Sequence, residues 1–324
     1  MRSRRTAVAV LLLVALVAIP LVLPRYPRFV ASLTLVNAVA AMGVNLSMGY
    51  AGAVSVGHAG FAGIGAYATA LLMAKLGWSF WAALPVSALA AALAGYLIGL
   101  PALKLNPLYI SMVTFGFGQV VTYVALNWIS LTNGPNGLAV PPAELGPYMF
   151  SPEAFYYPIA VSFLLLLWVA RNLVRSRLGR AFVAIRDGEL AAQAMGINLA
   201  KYKTIAFAVG AFYGGVAGSL YAGLSEFVNP DAFVFSVSIL YLTMNVVGGM
   251  GTLAGPVIGA CVFTVLPELL RPFAEYKEFI SGALLLGFLV FLPTGVAGLG
   301  AASWLRRGPR TRLAAVGGGR RSDG

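Results

Sequence analysis

The sequence predicts an all-α protein, a polytopic bundle of membrane-spanning helices. Three observations carry this. Hydrophobic residues make up 60% of the 324 positions and charged residues 10%, which lies outside the range of soluble domains. The apolar runs are continuous rather than alternating, which argues against an outer-membrane barrel. They also follow one another along the chain, and only segments whose backbone hydrogen bonds are satisfied internally cross lipid. We read residues 1–305 as one transmembrane domain of about ten spans, with nine or eight as alternatives, and 306–324 as a tail.

The chain opens on a basic cap, Met1 to Arg5, and an apolar run, Ala7–Leu23. No clear small-x-small cleavage site precedes Pro24, so the run is expected to remain as the first span rather than be cut as a signal peptide. The further expected spans are Phe29–Met48, His58–Ala74, Phe80–Leu100, Leu108–Ile129, Ala154–Ala170, Thr204–Leu224, Phe233–Val247, Leu253–Leu270 and Phe279–Leu292. Several fall short of the roughly 20 residues that cross a full hydrocarbon core, so their ends are loosely set.

Charge orients them. With the N-terminus inside, alternation puts Arg2, Arg4, Arg5, Lys104, the seven basic residues of 171–203 and the six arginines after Leu305 in the cytoplasm. The outside receives Arg25, Arg28, Lys75, Arg271 and Lys277. Seventeen of the 22 basic residues on one side is a strong positive-inside bias, and an even count puts both termini there. The longest outer loop, Ser130–Glu153, holds no Lys or Arg; its Asn133-Gly134-Pro135-Asn136-Gly137 and Pro141-Pro142 form turns. It reads as a connector, or as a docking surface. The tail is basic and rich in Gly, so it is expected to be disordered and drawn to anionic lipid.

Several kinds of chemistry are excluded. There is no GxxxxGK[ST] loop and no Gly-Lys dipeptide, so ATP is not bound by that device. GxSxG and HExxH are absent, and His58 is the single histidine. The one cysteine, Cys261, lies in an apolar run and supports neither a disulfide nor a thiol metal site. No carboxylate sits clearly at mid-membrane. Glu226 and Asp231 fall in a short outer turn, and Glu268 can pair with Arg271. That weakens an ion-coupled carrier, which remains an alternative. The chain is expected to carry no cofactor and to bind no nucleic acid.

Two glycine-rich junctions remain, NLSMGYAGAVSVGHAGFAGIGA from Asn45 to Ala66 and NVVGGMGTLAGPVIGA from Asn245 to Ala260. Each follows a descending span and precedes an ascending one. They read either as tight helix packing or as broken helices whose free backbone groups line a substrate path. Exposed N–H and C=O groups there suit a zwitterion. The candidate path residues are Asn45, Gly49, Gly52, Ser55, Gly57, His58, Gln119, Asn245, Gly248, Gly249 and Gly251.

The polar stretch from Arg171 to Lys203 lies between two spans. Leu178 to Ile185 has helical spacing, Arg186-Asp187-Gly188 breaks it, and Glu189 to Met195 forms a second short helix that Gly196 stops. Its small residues present a face that another protein's groove can admit. The bland reading is a solvated loop that merely satisfies positive-inside.

Ala191-Ala192-x-x-x-Gly196 resembles the EAA loop of ABC-importer permeases, although Leu190 separates Glu189 from the alanine pair. The longer string SRLGRAFVAIRDGELAAQAMGINLAKYKTIAFAVGAFYGGVAGSLYA, Ser176 to Ala222, resembles branched-chain amino acid permeases of the LivM type. So do GYAGAVSVGHAGFAGIGAY, Gly49 to Tyr67, and GGMGTLAGPVIGA, Gly248 to Ala260. The resemblance implies a bacterial-type plasma (inner) membrane importer for Leu, Ile or Val. It would have two ATP-binding subunits carrying ATP and Mg, a second and commonly different permease, and a periplasmic or lipid-anchored substrate-binding protein. Arg180, Arg186, Asp187, Glu189, Ala191, Ala192 and Gly196 would then couple the chain to the ATPase, with Arg177, Arg180 and Arg186 bonding the partner's surface or lipid headgroups. Relatives that carry urea or short amides leave a second substrate class open.

Overall fold

The longest helix described runs from Leu199 to Ser225, and the other helices are arranged around it. In the computed structural model, residues 23–100, 107–145, 148–150 and 154–270 are described, with the single positions 20, 282 and 296. In chain order the helices are α1 (Arg25–Val44), α2 (His58–Leu76), α3 (Phe80–Gly99), α4 (Pro107–Asn127), α5 (Tyr156–Arg175), α6 (Arg177–Asp187), α7 (Glu189–Ala194), α8 (Leu199–Ser225), α9 (Phe235–Gly248) and α10 (Gly255–Leu269). A π-helical turn, Asn45–Tyr50, continues α1.

Seven helical segments among the described residues are long and apolar enough to cross a membrane. They correspond to the expected spans from Phe29–Met48 through Phe233–Val247. The eighth, α10, has 15 residues and would rise only about 22 Å, short of a core of about 30 Å. The expected spans Ala7–Leu23 and Phe279–Leu292 lie almost wholly outside the described residues. So do Lys104, Arg271 and the tail 306–324.

α8 packs on α1, α2 and α3. The approach is close because small residues line the contacts. A Cβ at Gly65 of α2 would strike the Gly215 carbonyl, and one at Gly218 would strike the Ala62 carbonyl. A Cβ at Gly215 would lie 2.6 Å from that of Ala91 on α3. Apolar burial drives helix association weakly in lipid, so such backbone contact and interhelical hydrogen bonds hold the bundle. One bond group sits at its centre, with the Thr69 hydroxyl 2.9 Å from Ser87 Oγ and 2.8 Å from Ser219 Oγ. It ties α2, α3 and α8 at fully buried positions. On the other flank Asn37 Nδ2 donates to Thr264 Oγ1 at 2.9 Å, joining α1 to α10.

Among the described residues, the connectors gather at two ends. At one end, β1 (Leu138–Ala139) pairs antiparallel with β4 (Phe227–Val228), Lys75 Nζ donates to the Ser130 carbonyl, and Trp81 Nε1 donates to the Glu144 carbonyl. A hairpin of β2 (Glu144–Leu145) and β3 (Tyr148–Met149) lies in the same loop. Over its described residues, the loop read as a connector or a docking surface holds short paired strands. The 45–57 and 248–254 junctions and the α6–α7 pair occupy the other end.

Candidate functional site

α6 begins at Ser176, whose Oγ accepts from Leu178 N at 3.1 Å and Gly179 N at 3.4 Å, a cap of the kind that contributes about 1 kcal/mol. It buries Gly179, Ala181, Phe182 and Ile185 and leaves Arg177 and Arg180 outward. α7 follows after Gly188. Its Glu189 Oε1 meets Lys203 Nζ at 2.7 Å, and the Lys203 side chain is 8% exposed against 43% for Glu189. A lysine this buried needs its partner, so the pair fixes α7 against the second turn of α8. Gly196 closes α7 at φ +83°, a left-handed conformation that glycine adopts freely.

The outward face of α7 differs from the expectation. Ala192 is turned inward and is buried, with Ile197 N donating to its carbonyl at 3.0 Å. Ala191 and Ala194 remain exposed, but the large exposed side chains are Leu190 at 85% and Met195 at 83%. The outward surface of α7 is thus two apolar knobs with alanines between, not a wholly small-residue face.

Arg186 makes its hydrogen bonds within the chain. Its Nη1 donates to the Gly49 carbonyl at 2.9 Å, while Nε and Nη2 donate to Asp187 Oδ1 at 3.1 and 3.0 Å. Arg180 stays near the surface and donates to the Arg175 carbonyl at 3.2 Å.

The two glycine junctions, separate in sequence, meet. Asn45 Nδ2 donates to the Thr252 carbonyl at 2.7 Å, and Gly251 N donates to Asn45 Oδ1 at 2.8 Å. Asn45, Gly49, Gly52 and Gly251 therefore lie together beside Arg186. The first junction stays helical through Tyr50 and breaks only over 51–57. The second is a tight turn, with Gly249 at φ +114° and Gly251 at φ +71°. Gly248 packs against Gly255, where a Cβ would strike the carbonyl.

Some backbone donors at and just after the first break are held by side chains of other helices. Val56 N donates to Thr114 Oγ1 at 3.1 Å, and Ala59 N donates to Ser238 Oγ at 2.9 Å. Gly57 abuts Thr114 and Gly118 of α4. Asn245 Nδ2 donates to the Ala41 and Tyr241 carbonyls, both at 2.9 Å. His58 lies between Phe61 and Tyr241 in edge-on contact. Among the described residues, Ser55 Oγ, His58 Nε2 and Asn245 Oδ1 are buried without a hydrogen-bond partner. Gln119 is not brought to this cluster. It sits on the exposed face of α4, one turn beyond Gly116, where a Cβ would meet nothing within 4 Å. No cluster of three or more His, Cys, Asp or Glu occurs among the described residues.

Thr114, Ser238, Thr252 and Lys203 were not among the expected site residues. Thr252 and Lys203 lie inside the quoted strings, but nothing local marks Thr114 or Ser238, because their partners are far away in sequence.

The family described as branched-chain amino acid transport system / permease component matches residues 26–289. The high-affinity branched-chain amino acid transport system permease protein LivM of Escherichia coli K12 is 35% identical, covering 89% of this chain and 73% of that protein. The LivH permease of the same strain is 26% identical over 81% of this chain and 91% of its own length. The autoinducer 2 import system permease protein LsrC of Escherichia coli O9:H4 is 26% identical over 90% of this chain and 87% of its own. No solved structure matches the chain.

Proposed function

Because the chain belongs to the branched-chain amino acid transport system permease family, we propose that it is one membrane subunit of an ATP-driven importer for leucine, isoleucine or valine. The observation that carries this reading is the 35% identity to LivM along 89% of the chain. The substrate class follows that relative over the autoinducer 2 permease, which is 26% identical. The lack of a phosphate-binding loop fits a subunit that leaves ATP and Mg to partner chains. Those partners are two ATP-binding subunits, a second permease and an external substrate-binding protein.

About ten spans with both termini in the cytoplasm of the inner membrane complete the reading, with 1–305 as one transmembrane domain. The separation of connectors supports this topology. The α6–α7 pair and both glycine junctions share one end, and residues 130–145 and the 226–231 turn share the other. Alternation of spans requires the same grouping. Leu190 and Met195 seat in the ATPase subunit, and the 130–150 cap faces the binding protein. The path passes near the glycine junctions and the Gln119 face of α4. Closure of the ATPase subunits switches access to it.

The test is competition. The assembled transporter takes up labelled leucine, and unlabelled isoleucine and valine suppress that uptake while urea and acetamide leave it unchanged. Suppression by urea alone overturns the substrate assignment.

A further inference from the structure

The motion of an ATPase subunit has to reach the helices that border the path, and the geometry offers one polar contact for this. Arg186 stands at the last turn of α6, where three elements converge. Its Nη1 donates to the Gly49 carbonyl in the π-helical turn that ends α1. Its backbone lies against Gly52, where a Cβ would come 3.3 Å from Arg186 Cα. Its guanidinium also lies against the α9–α10 turn, where a Cβ at Gly251 would be 2.7 Å from Nη1. Carbonyls in the last turn of a helix have no intrahelical partner, and the helix dipole favours a cation there. Asp187 holds two further donors of the same guanidinium and fixes its direction. Among the described residues, no other side-chain hydrogen bond runs from 177–196 to either junction. Asn45 then joins the end of α1 to Gly251 and Thr252.

We propose that Arg186 is the positioning residue that makes α6, the end of α1 and the α9–α10 turn move as one body, so that displacement of α6–α7 is delivered to both glycine junctions. This rests on the reading of the chain as an ATP-driven permease. The contact is a link kept through the cycle, not a latch that opens.

The experiment uses the reconstituted transporter with all its subunits and measures leucine uptake per ATP hydrolysed. Arg186→Ala lowers this ratio about tenfold. Arg186→Lys keeps the charge on one donor nitrogen and falls between the wild type and Arg186→Ala. A covalent replacement then tests the link directly, in a chain whose Cys261 is replaced by serine. The Gly52 and Arg186 Cβ positions are 3.5 Å apart, within the roughly 3.5–4.5 Å spanned by a disulfide. Gly52→Cys with Arg186→Cys is expected to transport poorly when reduced, to recover coupling when oxidised and to lose it again with reductant. Gly52→Cys alone is the control, because Gly52 has φ +69°. A wild-type ratio in Arg186→Ala overturns the proposal. So does a bridge that fails to form, or an oxidised protein that does not recover. Uptake by the unmutated transporter that ignores ATP would instead overturn the underlying reading.

Discussion

Asn45 and Thr252, 207 positions apart in the chain, are joined by a hydrogen bond of 2.7 Å from Nδ2 to a backbone carbonyl. The other end of the same amide accepts from Gly251 N at 2.8 Å. A primary amide has the donor and the acceptor this clasp needs, and a carboxylate has only acceptors. Asn45→Ala leaves the partly buried Gly251 N–H and Thr252 C=O unsatisfied and is expected to cost about 1 kcal/mol. Asn45→Asp is expected to be worse than Asn45→Ala, because it adds a buried charge facing a carbonyl. Thermal unfolding of the purified protein in detergent checks the order; equal midpoints for Asn45→Asp and the wild type would refute it.

The α2–α8 crossing depends on backbone contact at Gly65 and Gly218. Gly65→Ala or Gly218→Ala pushes the helices apart and breaks the geometry of the Thr69–Ser219 bond. Each is expected to lower stability by about 1–3 kcal/mol. Gly116→Ala meets nothing within 4 Å and serves as the comparison, with little change in unfolding temperature.

Glu189 and Lys203 form a pair in which the lysine carries the burial. Removing Glu189 alone strands a buried ammonium, whereas removing both does not. Glu189→Gln is therefore expected to destabilise more than the double variant Glu189→Gln with Lys203→Met. A double-mutant cycle on unfolding temperature reads this, and additive single effects would contradict it.

Variants at Leu190 and Ala192 test docking and folding apart. Leu190→Asp alters an 85% exposed side chain and is expected to leave the protein folded while it loses the ATPase subunit on affinity purification. Ala192→Trp overfills a buried position and is expected to reduce the amount of folded protein. Retained ATPase in Leu190→Asp and Met195→Asp would place the docking surface elsewhere.

Sidedness is read by labelling. Single cysteines at Met195 and Asn136, with Cys261 replaced by serine, are expected to react with a membrane-impermeant maleimide from opposite sides. Met195→Cys reacts only after the cells are opened, and Asn136→Cys reacts on intact spheroplasts. Labelling of both from one side would break the alternation of spans.

Most helices were legible because lipid-compatible segments must be apolar throughout, and eight of the expected runs coincide with helices to within a few residues. Their ends were less visible where charge enters the helix. α8 starts at Leu199 rather than Thr204, because Asn198 Oδ1 caps Lys201 N and Lys203 is neutralised by Glu189. α5 continues past Ala170 to Arg175 in a polar stretch, until Ser176 starts the next helix. The two junctions stood out by their glycines, but their meeting through Asn45 is non-local and leaves no spacing to read. The π-turn at Asn45–Tyr50 also has no local signature. At α7, Leu190 looked like a departure from an alanine pattern. Placed on the helix, it is one of the two large side chains that face outward, and Ala192 is the one that faces in.

The central claim is that this chain admits a branched-chain amino acid only when partner subunits hydrolyse ATP. Proteoliposomes holding the chain with its second permease, both ATPase subunits and the binding protein test it most directly, by accumulation of labelled leucine with ATP or with a non-hydrolysable analogue inside the compartment that the ATPases face. The account predicts accumulation with ATP and only background with the analogue. Equal leucine entry under both conditions, or by the purified chain alone, would contradict it.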